Sequence, residues 1–203
     1  MNEPSPHPAH STAHPGTLPR WIALTAGIAC AAASLVIVLT AGLPDLAKTD
    51  PLYVLDDGRI VAPVIGALAP PLRLHNLDGA VVDLAEYSDQ VVVLNSWATW
   101  CVPCEVEMPA LQALAERYAG RVTVLGVNAG EQRSAVTAWR DRFGLTFELV
   151  LDPDGTASRD YRLRGQPTTF IVAPGGRIEA IYFGPVDLAE LERIVSRLVA
   201  MAD

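Results

Sequence analysis

The segment Val91-Val92-Val93-Leu94 is apolar at every position and mostly β-branched. Successive strand residues face opposite sides of a sheet, so an apolar run without alternation predicts a strand covered on both faces. Such a strand belongs at the centre of a layered α/β domain, and the sequence around it supplies the layers. Leu111, Leu114, Ala115 and Tyr118 recur at i, i+3, i+4 and i+7, the spacing of a helix with one buried face, and Gly120 follows as its cap. Val122 to Val127 predicts a second buried strand. Val136, Trp139 and Phe143 mark another helix ending before Gly144, and Phe147 to Leu151 a third strand. Thr168 to Val172 and Ile178 to Phe183 flank Pro174-Gly175-Gly176 as a hairpin. Asp187-Leu188-Ala189-Glu190 then caps a last helix carrying Leu191, Ile194, Val195 and Leu198. This order predicts an α/β fold with a mixed central sheet and helices on both faces.

Upstream, Asp78-Gly79 separates Leu72-Arg73-Leu74 from Val81-Val82, and Asp57-Gly58 separates Tyr53-Val54-Leu55 from Ile60-Val61, each reading as a short hairpin. We expect the folded domain over residues 63–203 and a linker over 44–62. Residues 21–43 carry no charge and are rich in Ala, Leu, Ile and Val. At about 1.5 Å per helical residue they reach about 34 Å, enough to cross a hydrocarbon core of roughly 30 Å. The stretch exceeds the ~7–15 apolar residues of a cleaved signal, so we read a retained, single-pass transmembrane helix. Cys30 is then a small apolar filler within it. Residues 1–20 hold Pro, His, Ser, Thr and Gly with almost no aliphatic side chains and predict a disordered tail. Arg20 on one side of the span and Lys48 and Arg59 on the other leave its orientation undecided by charge.

The formal net charge of −8 falls on residues 21–203, since Glu3 and Arg20 cancel in the tail. An acidic domain without clustered Lys and Arg is a poor partner for nucleic acid or for an anionic lipid surface. With three cysteines, one inside the apolar span, the chain is no disulfide-scaffolded miniature domain. The other two stand three apart as a working pair.

That pair sits where the central strand meets the first long helix, in Trp97-Ala98-Thr99-Trp100-Cys101-Val102-Pro103-Cys104. A cysteine at a helix N-terminus faces unpaired amide donors and the positive end of the helix dipole, which stabilise thiolate over thiol. Cys101 is therefore read as the attacking sulfur, and Cys104, on the same side one turn deeper, as the resolving one. Pro103 suits the first turn, where its missing N–H is no loss. Zinc would need two further Cys or His ligands, but three of the four histidines lie in the tail and His75 stands alone, so no metal is expected. Glu107, three residues after Cys104, could accept the resolving thiol's proton, whereas Glu105 is read as a complement to the helix dipole.

These residues resemble the active site of the thioredoxin superfamily, and more narrowly of the TlpA/ResA-type membrane-anchored thiol-disulfide oxidoreductases. The likeness covers roughly residues 63–203, from Gly66-Ala67-Leu68-Ala69-Pro70 and Leu77-Asp78-Gly79 onward. It implies a thioredoxin-like fold with no cofactor beyond a redox-active disulfide between Cys101 and Cys104. It also implies that Gln166-Pro167 in Gly165-Gln166-Pro167-Thr168-Thr169-Phe170 is a cis-proline facing that disulfide, and that Glu107 is the active-site glutamate. Pro109 is expected to kink the helix as the family's proline does. Two departures stand out. Asn95 replaces the buried Asp of many thioredoxins, which leaves Glu107 the better proton acceptor, and Ser96 replaces an aromatic. Trp97 is expected in the core and Trp100 on the surface that meets a substrate, together with Gln166 and Pro167.

Val102-Pro103 places no donor side chain between the cysteines, unlike the histidine of strong oxidants, so the dithiol gains no special stabilisation and reads as a reductant. A cytoplasmic reductant would need no anchor, so we expect the domain on the extracytoplasmic side of the cell membrane. Its partners would be a membrane or extracytoplasmic electron donor and exported disulfide-containing clients, of which the resemblance suggests apocytochrome c. A peroxiredoxin-like peroxidase would need a Thr three residues before its attacking cysteine, and neither cysteine has one. A copper chaperone of related fold would need a histidine in the cis-proline half, which has none. A non-catalytic client-binding assembly factor is the alternative of a different class.

Overall fold

The structure, a computed structural model, describes residues 52–202. The tail and the apolar segment read at 1–20 and 21–43 lie outside the described residues; among the described residues no helix is long and apolar enough to cross a membrane.

A short hairpin comes first, strands β1 (Tyr53–Val54) and β2 (Ile60–Val61), paired antiparallel as Tyr53↔Val61 and Val54↔Ile60. Val61 and Ala62 at its end are buried. The main sheet follows: β3 (Arg73–Asn76), β4 (Val81–Asp83), β5 (Val91–Trp97), β6 (Val122–Asn128), β7 (Glu148–Leu151), β8 (Thr168–Val172) and β9 (Ile178–Phe183). Its order is β4-β3-β7-β6-β5-β8-β9. Strands β5, β6 and β7 are parallel, while β8, β9, β3 and β4 join antiparallel, so the sheet is mixed.

Every residue of β5 is buried, as its unbroken apolar run requires. Its odd positions, Val91, Val93 and Trp97, enter one apolar cluster. Three helices contribute to that cluster: α1 (Val102–Arg117) through Met108, Leu111 and Leu114, α2 (Arg133–Phe143) through Val136 and Trp139, and a long C-terminal helix through Leu191, Ile194, Val195 and Leu198. Its even positions, Val92 and Leu94, enter a second cluster with Leu125, Val127, Phe170 and Tyr161. Helices cover this face too, but short ones: a 3₁₀ turn at Leu84–Tyr87, with Leu84 and Tyr87 against the cluster, and α3 (Thr156–Asp160) with Ala157 in it. Neither short helix was expected. A five-residue helix shows no amphipathic period, and α3 is held by one side chain, Asp152, whose carboxylate accepts from Ala157 N–H (3.1 Å), Ser158 N–H (3.0 Å) and Ser158 O–H (2.9 Å). The C-terminal helix, α4 (Leu188–Ala202), closes the chain, and Asp187 accepts from Glu190 N–H at 2.8 Å as its capping pattern predicts.

Two details fix the end of β5. Trp97 is fully buried and stacks on Trp139, ring centroids 4.5 Å apart, in keeping with its expected core role. Across the sheet, Gly126 faces Asn95 in the parallel register, and a Cβ there would come within 2.6 Å of Leu149 Cδ2 and 3.0 Å of the Trp97 indole nitrogen. The glycine is what lets the indole and Leu149 meet over the strand.

Candidate active site

Strand β5 ends at Trp97 and α1 begins at Val102, so the Trp-flanked motif occupies the turn between the central strand and a long helix. Cys101 is the N-cap of α1, with extended backbone (φ −87, ψ 97), and its sulfur accepts from the Cys104 N–H at 3.2 Å. Cys101 and Cys104 form a disulfide with Cα atoms 5.2 Å apart. Cys104 is fully buried and Cys101 is 4% exposed. A first-turn amide directed at Cys101 sulfur is the kind of donor that favours a thiolate when the bond opens, and the more accessible sulfur is the one a client can reach. Helix α1 continues unbroken through Pro109.

Glu107 lies in the next turn and is 2% exposed. Burial raises its carboxyl to about 7, opposed by hydrogen bonds from the Asn95 side chain and the Val186 backbone. Asn95 Nδ2 donates to Glu107 Oε1 at 2.7 Å and to Thr169 Oγ1 at 2.9 Å, and Val186 N–H donates to Glu107 Oε2 at 3.3 Å. Two elements thus meet this carboxyl, β5 through Asn95 and the loop between β9 and α4 through Val186, and β8 holds Asn95 in place through Thr169, which pairs with it. Asn95 Oδ1 is buried without a hydrogen-bond partner among the described residues. Where thioredoxins carry Asp, the Asn places a donor beside Glu107 and avoids a second buried negative charge. Ser96, the other departure, is buried with no partner for its hydroxyl among the described residues.

The Gln166-Pro167 peptide bond is cis. Thr168 pairs with Ser96, so Pro167 enters the sheet beside the end of β5 from which the cysteine turn departs. Gly184 N–H donates to the Pro167 carbonyl at 2.9 Å, which ties the proline loop to the end of β9. Pro167 is buried and Gln166 partly exposed. Trp100, beside Cys101, is 67% exposed.

One carboxylate on the turn has no counterpart in the sequence reading. Glu131 accepts from Thr99 N–H at 2.7 Å through Oε2 and from the Thr99 hydroxyl through Oε1, and Asn128 Nδ2 donates to it at 2.7 Å. Asn128 Oδ1 in turn accepts from Glu131 N–H at 3.1 Å. The loop after β6 is thereby clamped to the residue two before Cys101. Its signal was an isolated polar Asn closing a buried strand, followed by Gly130 with φ 75 and then Glu131, an Asx-type turn without an evident partner until the fold brings Thr99 to it.

The arrangement can form, hold and break a disulfide, and can keep a proton on a buried carboxyl near neutral pH. A family model described as AhpC/TSA matches residues 65–181. The chain is 37% identical over 133 residues to thiol-disulfide oxidoreductase ResA of Geobacillus kaustophilus, covering 65% of this chain and 76% of that one. Against thioredoxin-like protein YneN of Bacillus subtilis it is 37% identical over 131 residues, 63% of this chain and 76% of that one. Among solved structures, a secreted thiol-disulfide isomerase of Corynebacterium glutamicum superposes with a TM-score of 0.61 at 26% identity, covering 78% of this chain and 95% of that one.

Proposed function

We propose, for a chain that belongs to the AhpC/TSA family and is a ResA-type thiol-disulfide oxidoreductase, that its reaction is the reduction of disulfides in exported proteins outside the cytoplasm. The observation that carries the reading is the Cys101–Cys104 disulfide across the first turn of α1, with Glu107 buried on the same helix. In the dithiol state the Cys101 thiolate attacks a client disulfide, forming a mixed disulfide and releasing one client sulfur as thiolate. Cys104 gives its proton to Glu107 and attacks Cys101 Sγ. The intramolecular disulfide forms, the second client sulfur leaves, and two electrons have passed from enzyme to client. Glu107 returns the proton to solvent or to the departing client thiolate.

Trp100, Gln166 and Pro167 would meet the client around the two sulfurs. Apocytochrome c is our candidate client. The oxidised enzyme would be restored by a dithiol donor of the membrane or the extracytoplasmic space, and residues 21–43 would anchor the chain there. No further cofactor takes part. Insulin reduction driven by dithiothreitol tests the activity: turnover lost in Cys101→Ser supports it, and client binding without turnover would make the chain a holding factor instead. Protease added to intact spheroplasts should digest the domain, and protection of it would overturn the location.

A further inference from the structure

Among the described residues, exposed large apolar side chains gather at the start of the domain. Val54 and Ile60 are a directly opposed pair, and so share one face of the β1–β2 hairpin, 65% and 49% exposed. Ile60 also lines, with Val64 and Ile65, a concavity of about 470 Å³, and these last two are 50% and 64% exposed. Val54 beside Ile60 on the hairpin, and Val64 and Ile65 beside Ile60 at the concavity, hold four large aliphatic side chains open to water and mark a surface that meets something apolar. Two arginines stand at the same concavity: Arg59, paired with Asp57 at 2.7 Å, and Arg177, which donates to the Gly66 carbonyl. Both guanidinium groups are thus engaged within an acidic domain, so it is the aliphatic side chains that suit the boundary of a bilayer, at its acyl chains.

The chain length selects the same occupant. Only residues 44–51 separate the apolar stretch 21–43 from the described chain. Eight residues reach at most about 28 Å, so a domain tethered by that stretch stays within a short distance of the bilayer. The hairpin is the part nearest the tether in sequence.

The sheet carries the consequence to the redox centre. Gly66 N–H donates to Ile178, which pairs with Val172, which pairs with Val92 at the start of β5. Cys101 follows the other end of β5, and Val92 to Trp97 spans about 17 Å at roughly 3.3 Å per residue. We propose that the Val54-Ile60-Val64-Ile65 face rests in the interfacial layer of the membrane and holds the Cys101–Cys104 centre at the far end of the domain, facing the aqueous compartment. This rests on the reading of residues 21–43 as an anchor.

The test uses the full chain in liposomes of the zwitterionic lipids phosphatidylethanolamine and phosphatidylcholine, with Cys30→Ala and the active-site disulfide kept oxidised. A nitroxide is attached at Val54→Cys, Ile65→Cys, the exposed Ala189→Cys or Ala32→Cys, one at a time, and power saturation compares accessibility to oxygen and to a water-soluble nickel chelate. The expected result is an oxygen-to-nickel ratio at positions 54 and 65 severalfold above that at 189. Ratios equal to that at 189, with position 32 in lipid, overturn the docking and leave the anchor standing. Spin–spin broadening at 54 and 65 without oxygen preference assigns the face to a second copy and overturns the lipid. If position 32 is itself in water, the anchor and the docking both fall.

Discussion

Replacing Glu107 by Gln removes the proton acceptor while keeping the shape of the side chain and an oxygen for the Asn95 amide. In the wild type the acceptor is poised near neutrality, because burial raises the carboxyl to about 7, so it can take the Cys104 proton at physiological pH. Without it, Cys104 ionises by itself near the unperturbed thiol value of about 8.5, which leaves roughly 3% thiolate at pH 7. Resolution of the mixed disulfide should then slow on the order of fifteenfold at pH 7, where the wild-type acceptor is itself half ionised, and its pH midpoint should move from about 7 to about 8.5. Well above that midpoint the two proteins should converge. The first attack should change little, since the Cys101 thiolate draws on the amides of the first turn and not on Glu107. Rapid-quench trapping of mixed disulfides with a model peptide, across pH and including Glu105→Gln, measures both steps. An unshifted midpoint would remove Glu107 from the mechanism. Equal effects from Glu105→Gln, whose carboxylate instead contacts Arg142 at 3.3 Å, would assign the effect to the general field of the helix terminus.

The same carboxyl has a stability signature. Its folded value lies above the 4.5 of the free group, so wild-type stability should fall as pH rises between about 4.5 and about 7. Glu107→Gln should match the wild type near pH 4 and exceed it by up to about 3 kcal/mol above pH 7, read by urea unfolding, and a constant difference would refute the assignment. Glu131→Ala removes the acceptor of the Thr99 N–H and hydroxyl. It should cost about 2–4 kcal/mol by the same assay and make the cysteine turn easier to digest, whereas an unchanged unfolding midpoint would show the clamp to be idle. With Val102-Pro103 between the cysteines, equilibration against glutathione or dithiothreitol should give a potential of about −270 to −200 mV, and a value near −120 mV would make the protein an oxidant.

Asn95 illustrates what a single position can mean at two levels. Read along the chain, it is a polar residue where the resemblance to thioredoxins implies a buried Asp, and it leaves Glu107 as the candidate proton acceptor. Read in the fold, it donates directly to Glu107 and to Thr169, residues 12 and 74 positions away, and so sets the environment of that candidate.

The sequence by itself determined the elements whose signal is local. The unbroken β5 run, the periodic faces of α1, α2 and α4, the Gly144 cap (φ 61) and the turns at Asp78-Gly79 and Gly175-Gly176 all stand where side-chain period or backbone freedom places them. The CxxC pair was legible for the same reason, since both cysteines and the helix start lie within four residues. The tertiary structure alone decided the order of seven strands, the covering of the second sheet face by α3 and a 3₁₀ turn, the closure of Glu107 by Val186, and the clamp of Glu131 on Thr99. Each of these joins groups remote in the chain or rests on an element too short to show a period. A polar residue's partner is set by which strands become neighbours, and strand neighbours are chosen by the burial of the whole sheet, a quantity no local window contains.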